Sequence, residues 1–158
     1  MKVELTAHRR KGLSPQNKGS VPTKSVTLFV GRLNLSSGRL EYCNAGHTPL
    51  VIMRPEGGAE FLSANRNIAA GIMDGYAYAM QETTFEPGTT LLVYTDGVTE
   101  AERENHELYG EKRLLAFASA HAKDAPASFV ENMERELDTF MAGAEQSDDI
   151  TALAVRVG

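Results

Sequence analysis

The stretch Leu91-Leu92-Val93-Tyr94-Thr95-Asp96-Gly97-Val98-Thr99-Glu100 constrains the fold more than any other part of the chain. It is an apolar, β-prone run opened by Pro87-Gly88 and closed by Asp96-Gly97. A run of this length between two turn signals reads as a core strand that delivers its last side chains to a sheet edge. A second acidic stretch, Ser147-Asp148-Asp149-Ile150-Thr151, introduces the last apolar run of the chain. Together the two suggest a carboxylate cluster suited to a hard divalent cation.

The rest of the chain supplies partners for that strand. Val26 to Leu33 is β-prone, Asn34 to Gly38 is a polar turn, and Arg39 to Asn44 alternates Leu40 and Tyr42 with polar neighbours, which predicts a hairpin. Leu50 to Met53 and Ala59 to Leu62, joined by Arg54-Pro55-Glu56-Gly57-Gly58, predict a second. Ser63 to Gly75 has no clear period and reads as a loop. Tyr76 to Phe85 returns to strand character and is expected to pair with the Leu91 strand across Glu86-Pro87-Gly88.

Helical spacing follows the Asp96 turn. Leu114, Phe117, Ala118 and His121 share one side of a helix over Gly110 to His121. A second helix has Asp124 as cap, Pro126 in its first turn and an apolar stripe of Phe129, Val130, Met133, Leu137, Phe140 and Met141, stopped by Gly143. Asp149 to Val157 reads as a strand buried on both faces. Strands, then two helices, then a returning strand imply an α+β sandwich with the helices on one sheet face. An antiparallel neighbour relation between the last strand and Leu91 to Tyr94 brings Asp96 and Asp148 or Asp149 to one rim.

Composition sets the class. A chain of 158 residues with 42% hydrophobic content can form one domain with its own core, and 14 glycines with 6 prolines suit a fold of many turns. The net charge of −5 argues against nucleic-acid binding. Residues 1 to 24 hold six Lys or Arg against one acid and read as a basic, flexible leader, with the ordered part over 25 to 158. The single cysteine, Cys43, reads as a core thiol and excludes an internal disulfide. No apolar run approaches the ~20 residues that span a bilayer, so a soluble, cytoplasmic protein is expected.

Spacing alone leaves the chemistry open. Asp96, Asp148 and Asp149 are the residue type that Mg²⁺ and Mn²⁺ prefer, yet Asp96-Gly97 also makes a plain turn and Asp148-Asp149 a polar lead into a strand, and spacing leans to these plainer readings. His47, in Asn44-Ala45-Gly46-His47, stands just beyond a strand, where it could assist proton transfer or orient a phosphate, though the spacing leans to a structural turn with a satisfied histidine. His8, His106 and His121 lack ligand spacing for zinc. Gly57-Gly58 and Gly71 to Gly75 are not followed by the lysine or helix start of a phosphate loop.

In order along the chain, Val26-Thr27-Leu28-Phe29, Tyr42-Cys43-Asn44-Ala45-Gly46-His47, Pro87-Gly88, Tyr94 to Glu100, Leu108-Tyr109-Gly110 and Asp148-Asp149-Ile150-Thr151 resemble the carboxy-terminal part of bacterial PPM-type (PP2C-like) serine/threonine phosphatases of the SpoIIE and RsbU kind. The resemblance implies a PP2C-like β-sandwich, incomplete at its N-terminus here. It implies a manganese or magnesium pair at Asp96 and Asp148, with Gly97 and Asp149 at the same site, and a metal-bound water attacking phosphoserine or phosphothreonine. It also implies a phosphorylated bacterial regulator of the anti-sigma-factor-antagonist type as substrate.

One departure qualifies these expectations. The family's Asp-Val-Ser-Gly-like segment, which bridges both ions, has no equivalent in this sequence. Fewer anionic oxygens predict weak metal binding and put activity of this chain alone in question. The alternative function is a non-catalytic regulatory or binding module. The helices that would cover one sheet face are likewise without counterpart, which predicts a homodimer through the uncovered face.

Overall fold

The computed structural model describes residues 3–10 through their backbone, together with 25–146 and 148–158. The strand-prone segments sort into two antiparallel sheets. The first joins β2 (Leu28–Leu33), β3 (Arg39–Ala45) and β6 (Gln81–Thr84) in the order β2-β3-β6. The β2–β3 hairpin is the expected one. Its turn is fixed by Asn34, whose Oδ1 accepts hydrogen bonds from the Ser36 and Ser37 amides at 2.9 and 3.2 Å, and by Gly38 at φ +71°. A Cβ at Gly38 would stand 2.1 Å from the Phe85 carbonyl oxygen, so only glycine fits there.

The second sheet has the order β1-β8-β7-β4-β5, built from β1 (Val3–Arg10), β4 (Val51–Met53), β5 (Ala59–Phe61), β7 (Thr90–Tyr94) and β8 (Ile150–Val157). The β4–β5 hairpin and the antiparallel β7–β8 pair match the sequence reading. Three expectations are corrected. Val3–Arg10 is not a mobile leader: it pairs with β8 along its whole length, from Val3 opposite Val157 to Arg10 opposite Ile150. The alternation of Val3, Leu5 and Ala7 with Glu4, Thr6 and His8 is a strand pattern that the basic charge obscured; residues 11–24 lie outside those described.

The second correction concerns β6, which is shorter than the Tyr76 to Phe85 run and pairs with β3, not with β7. Glu86 to Thr89 carries the chain from one sheet to the other instead of folding it back as a hairpin. Gly88, at φ +89°, donates its amide to the Val157 carbonyl at 2.5 Å, and the Thr89 amide bonds to Glu86 O at 3.0 Å. Third, Asp124 does not cap the second helix. Ala125 takes the N-cap position without a side-chain bond, while the Asp124 carboxylate accepts from His121 Nδ1 at 2.8 Å and Asn132 Nδ2 at 2.9 Å.

The helices α1 (Gly110–Ala120) and α2 (Pro126–Met141) cover one face of the five-stranded sheet. Every residue of the expected α2 stripe is buried, and it packs with Leu114, Phe117 and Ala118 of α1 against Val51, Met53, Leu92, Tyr94, Ile150, Ala152 and Ala154. Each large side chain buried this way stabilises the fold by roughly 1.5–3 kcal/mol. The opposite face of the same sheet, through Ile52, Leu91 and Val157, packs on Leu40, Tyr42 and Phe85 in a second core. β7 and β8 are therefore sandwiched in the middle layer. Among the described residues no layer covers the outer face of the three-stranded sheet: Leu28, Val30 and Met80 are 42%, 61% and 62% exposed. The molecule is an α+β fold of helices on a sheet on a sheet.

Candidate metal centre

The site grows out of the ends of β7 and β8. Their antiparallel register sets Tyr94 opposite Ala152 and continues one step further, with the Thr95 amide bonded to Thr151 O at 3.0 Å. The chain beyond β7 and the chain before β8 consequently meet at one rim, as the sequence predicted. After Thr95 a 3-10 turn over Asp96–Val98 tightens the backbone, and the Glu100 amide donates to Asp96 O at 2.8 Å. That spacing of four residues turns the Glu100 side chain back over Asp96.

One carboxylate oxygen each from Asp96, Glu100 and Asp148 lies within 4.8 Å of the other two. All three side chains are exposed at the rim, and among the described residues none of them pairs with a lysine or arginine. Like charges about 4 Å apart repel by about 1 kcal/mol per pair even in water. An all-oxygen donor set of three carboxylates, without a cationic partner among the described residues, fits a hard divalent cation, which would offset that repulsion.

Two local features hold the carboxylates in place. Asp148 Oδ1 accepts from the Asp149 amide at 2.6 Å, while Gln146 Nε2 donates to Asp148 O at 2.7 Å. Gly97 is buried against the Asp149 peptide, where a Cβ would stand 2.5 Å from the Asp149 carbonyl oxygen. The Asp-Gly pair is thus required by close approach of the two strand ends, since any side chain at 97 would push Asp148 away from Asp96.

The expected site residues are distributed as follows. Asp96 and Asp148 come together; Gly97 lies between their backbones; Asp149 is half-buried and is not one of the three clustered carboxylates. Glu100 joins the cluster although the sequence reading passed over it. Its only signal was the four-residue spacing from Asp96, which becomes informative once the intervening turn is known to be helical.

His47 is brought to the same rim. Its loop is braced by Asn44, itself buried, whose Oδ1 accepts from the His47 amide at 2.7 Å and whose Nδ2 donates to His47 O at 3.0 Å. The Thr48 hydroxyl donates to Tyr94 O at 2.7 Å and ties that loop to the end of β7. Burial holds the His47 imidazole below the usual histidine range, and the Asp96 carboxylate opposes that shift. Cys43, expected in the core, is only half-buried, with Asn67 Nδ2 3.5 Å from its sulfur. His106 pairs with Glu102 and His121 with Asp124, so neither enters a metal-ligating group.

Residues 4–158 match the sequence profile of the family described as Stage II sporulation protein E (SpoIIE). The chain is 36% identical over 130 residues to Protein IcfG of Synechocystis sp., a span that is 82% of this chain and 20% of that protein. It is 24% identical over 131 residues to the phosphoserine phosphatase RsbU of Bacillus subtilis, covering 83% of this chain and 38% of that one. The fold superimposes on the PP2C phosphatase domain of SpoIIE from Bacillus subtilis with a TM-score of 0.68 at 19% identity, over 87% of this chain and 40% of that structure. The chain therefore spans well under half the length of these relatives.

Proposed function

The chain belongs to the SpoIIE family of PP2C-like phosphatases, and from that premise we propose that it is the metal-binding, carboxy-terminal portion of a phosphoserine/phosphothreonine phosphatase dependent on Mn²⁺ or Mg²⁺. The observation that carries this reading is the meeting of Asp96, Glu100 and Asp148 within 4.8 Å. Asp96 and Asp148 are the principal ligands and Glu100 a third. Gly97 and Asp149 shape the backbone on which they stand. These residues would hold a divalent cation, which when bound would supply charge to offset a phosphoryl group and lower the pKa of a water ligand.

The chain's own residues do the remaining work. The carboxylates fix where the phosphoryl group can sit. His47, half-buried at the same rim, is the residue of this chain suited to proton transfer there. The substrate follows from the resemblance to RsbU-type proteins: a phosphorylated bacterial regulator of the anti-sigma-factor-antagonist type. No helix among the described residues is long and apolar enough to cross a membrane, and a cytoplasmic setting accords with such a substrate.

A second reading has its own support. The three carboxylates of the cluster also suit a module that binds a phosphoprotein through a cation without turnover. Manganese-dependent hydrolysis of p-nitrophenyl phosphate by the chain and by Asp96→Asn separates the two. Hydrolysis lost in the variant supports the phosphatase; no hydrolysis in either protein leaves the binding module, and equal measurable rates remove Asp96 from the catalytic role.

The outer face of the three-stranded sheet, which no other described residue covers, supports self-association with a second copy. Leu28, Val30 and Met80 form its apolar end, whereas Arg32 with Glu41 and Arg39 with Glu82 pair among themselves at the other. Like apolar ends can then meet without stranding a charge.

A further inference from the structure

We infer that Thr95 is a positioning residue that sets the separation of Asp96 and Asp148, and with it the affinity for the cation. The inference rests on the reading of Asp96, Glu100 and Asp148 as a cation site. Its basis is the way one hydroxyl serves both sides of the rim. Thr95 Oγ1 donates to Asp149 O at 2.9 Å and accepts from the Thr151 amide at 3.0 Å, so it spans the peptide units on either side of Ile150. On its own strand Thr95 directly precedes Asp96, and its carbonyl accepts from the Val98 amide at 3.0 Å, closing the turn that aims Asp96 and Glu100.

The Asp149 carbonyl is thereby pinned from two directions, by the hydroxyl of Thr95 and by contact with Gly97. Asp148 is in turn joined to Asp149 by the bond from the Asp149 amide to its own carboxylate. Movement of this peptide shifts Asp148 relative to Asp96. A cation requires its ligands at fixed oxygen distances, so a site whose mount drifts binds more weakly even when every ligand is retained. The β-branched threonine adds rigidity, because its χ1 is restricted and the hydroxyl is held where both partners meet it.

The test is calorimetric titration of the full chain with Mn²⁺, alongside Thr95→Val and Thr95→Ser. Valine keeps the shape and removes both hydrogen bonds; serine keeps the hydroxyl. Thr95→Val is expected to weaken Mn²⁺ binding by about tenfold or more, and Thr95→Ser to stay within about threefold of the parent, the size of change seen when groups supporting metal ligands are removed or retained. Equal affinity of a folded Thr95→Val and the parent, or equal losses in both variants, overturns the inference while leaving the cation site standing. A parent that binds no Mn²⁺ overturns the site and the inference together. If Thr95→Val does not fold, hydrogen exchange at the Thr151 amide of the parent decides: slower exchange with Mn²⁺ supports the clasp, and unchanged exchange overturns it.

Discussion

At the scale of single residues, the structure makes unequal demands on a few positions. Gly97→Ala is expected to destabilise the chain by about 1–3 kcal/mol, because the new methyl would overlap the Asp149 carbonyl. For a domain of this size that lowers Tm by roughly 2–4 °C per kcal/mol, a shift readily seen by differential scanning calorimetry. Glu100→Gln should weaken Mn²⁺ binding less than Asp148→Asn does, since both changes keep one oxygen and remove one charge while Asp148 is the principal ligand; a titration of the two variants that ranks them the other way would remove Glu100 from the subsidiary role given it here. The pairing of Asp96 with Asp148 was legible because each ends or begins an apolar run, and runs that pair antiparallel bring such ends together. Glu100 was not legible, because its contribution depends on a 3-10 turn that Asp-Gly alone does not specify. His47 was half legible: its position after a strand was clear and its brace by Asn44 is local, but the Thr48 bond to Tyr94 O that brings its loop to the rim joins residues distant in sequence.

At the scale of elements, α2 and the α1–α2 connection carry the clearest expectations. The α2 stripe was read correctly because a 3.6-residue period with six large apolar side chains permits only one buried face. Leu137→Ala, at a fully buried position, should reduce stability by about 2–5 kcal/mol, measurable by urea unfolding. The Asp124 carboxyl is held below the usual carboxylate range, first by the hydrogen bond from His121 and further by that from Asn132. A carboxyl lowered in the folded state contributes stability that is complete above its ordinary pKa of about 3.9 and is lost as pH falls through the lowered value. Stability should therefore fall less steeply below about pH 4 in Asp124→Asn than in the parent; parallel pH profiles would contradict that role. The strands β1 and β6 were misread for physical reasons. In β1 a strand alternation was hidden by basic charge, and in β6 the partner was decided by a glycine that passes the chain between sheets.

At the scale of the whole molecule, the middle sheet is covered on both faces while, among the described residues, the outer three-stranded sheet is covered on one. The exposed apolar end around Val30 and Met80 predicts association at micromolar concentration, and Val30→Lys should shift the chain toward monomer in light scattering. A monomeric parent would contradict the self-association reading without touching the site. The layer order itself follows from sequence, since two amphipathic helices and a set of alternating strands leave few ways to bury their apolar faces. The division of strands between the two sheets does not, because it depends on which neighbour each strand meets. The central claim is that the converging ends of β7 and β8 hold a divalent cation through Asp96, Asp148 and Glu100. Its most direct test is calorimetric titration of the full chain and of Asp148→Asn with Mn²⁺: a binding isotherm in the parent that is weakened by about tenfold or more in the variant is the predicted result, and identical heats in the two proteins would contradict it.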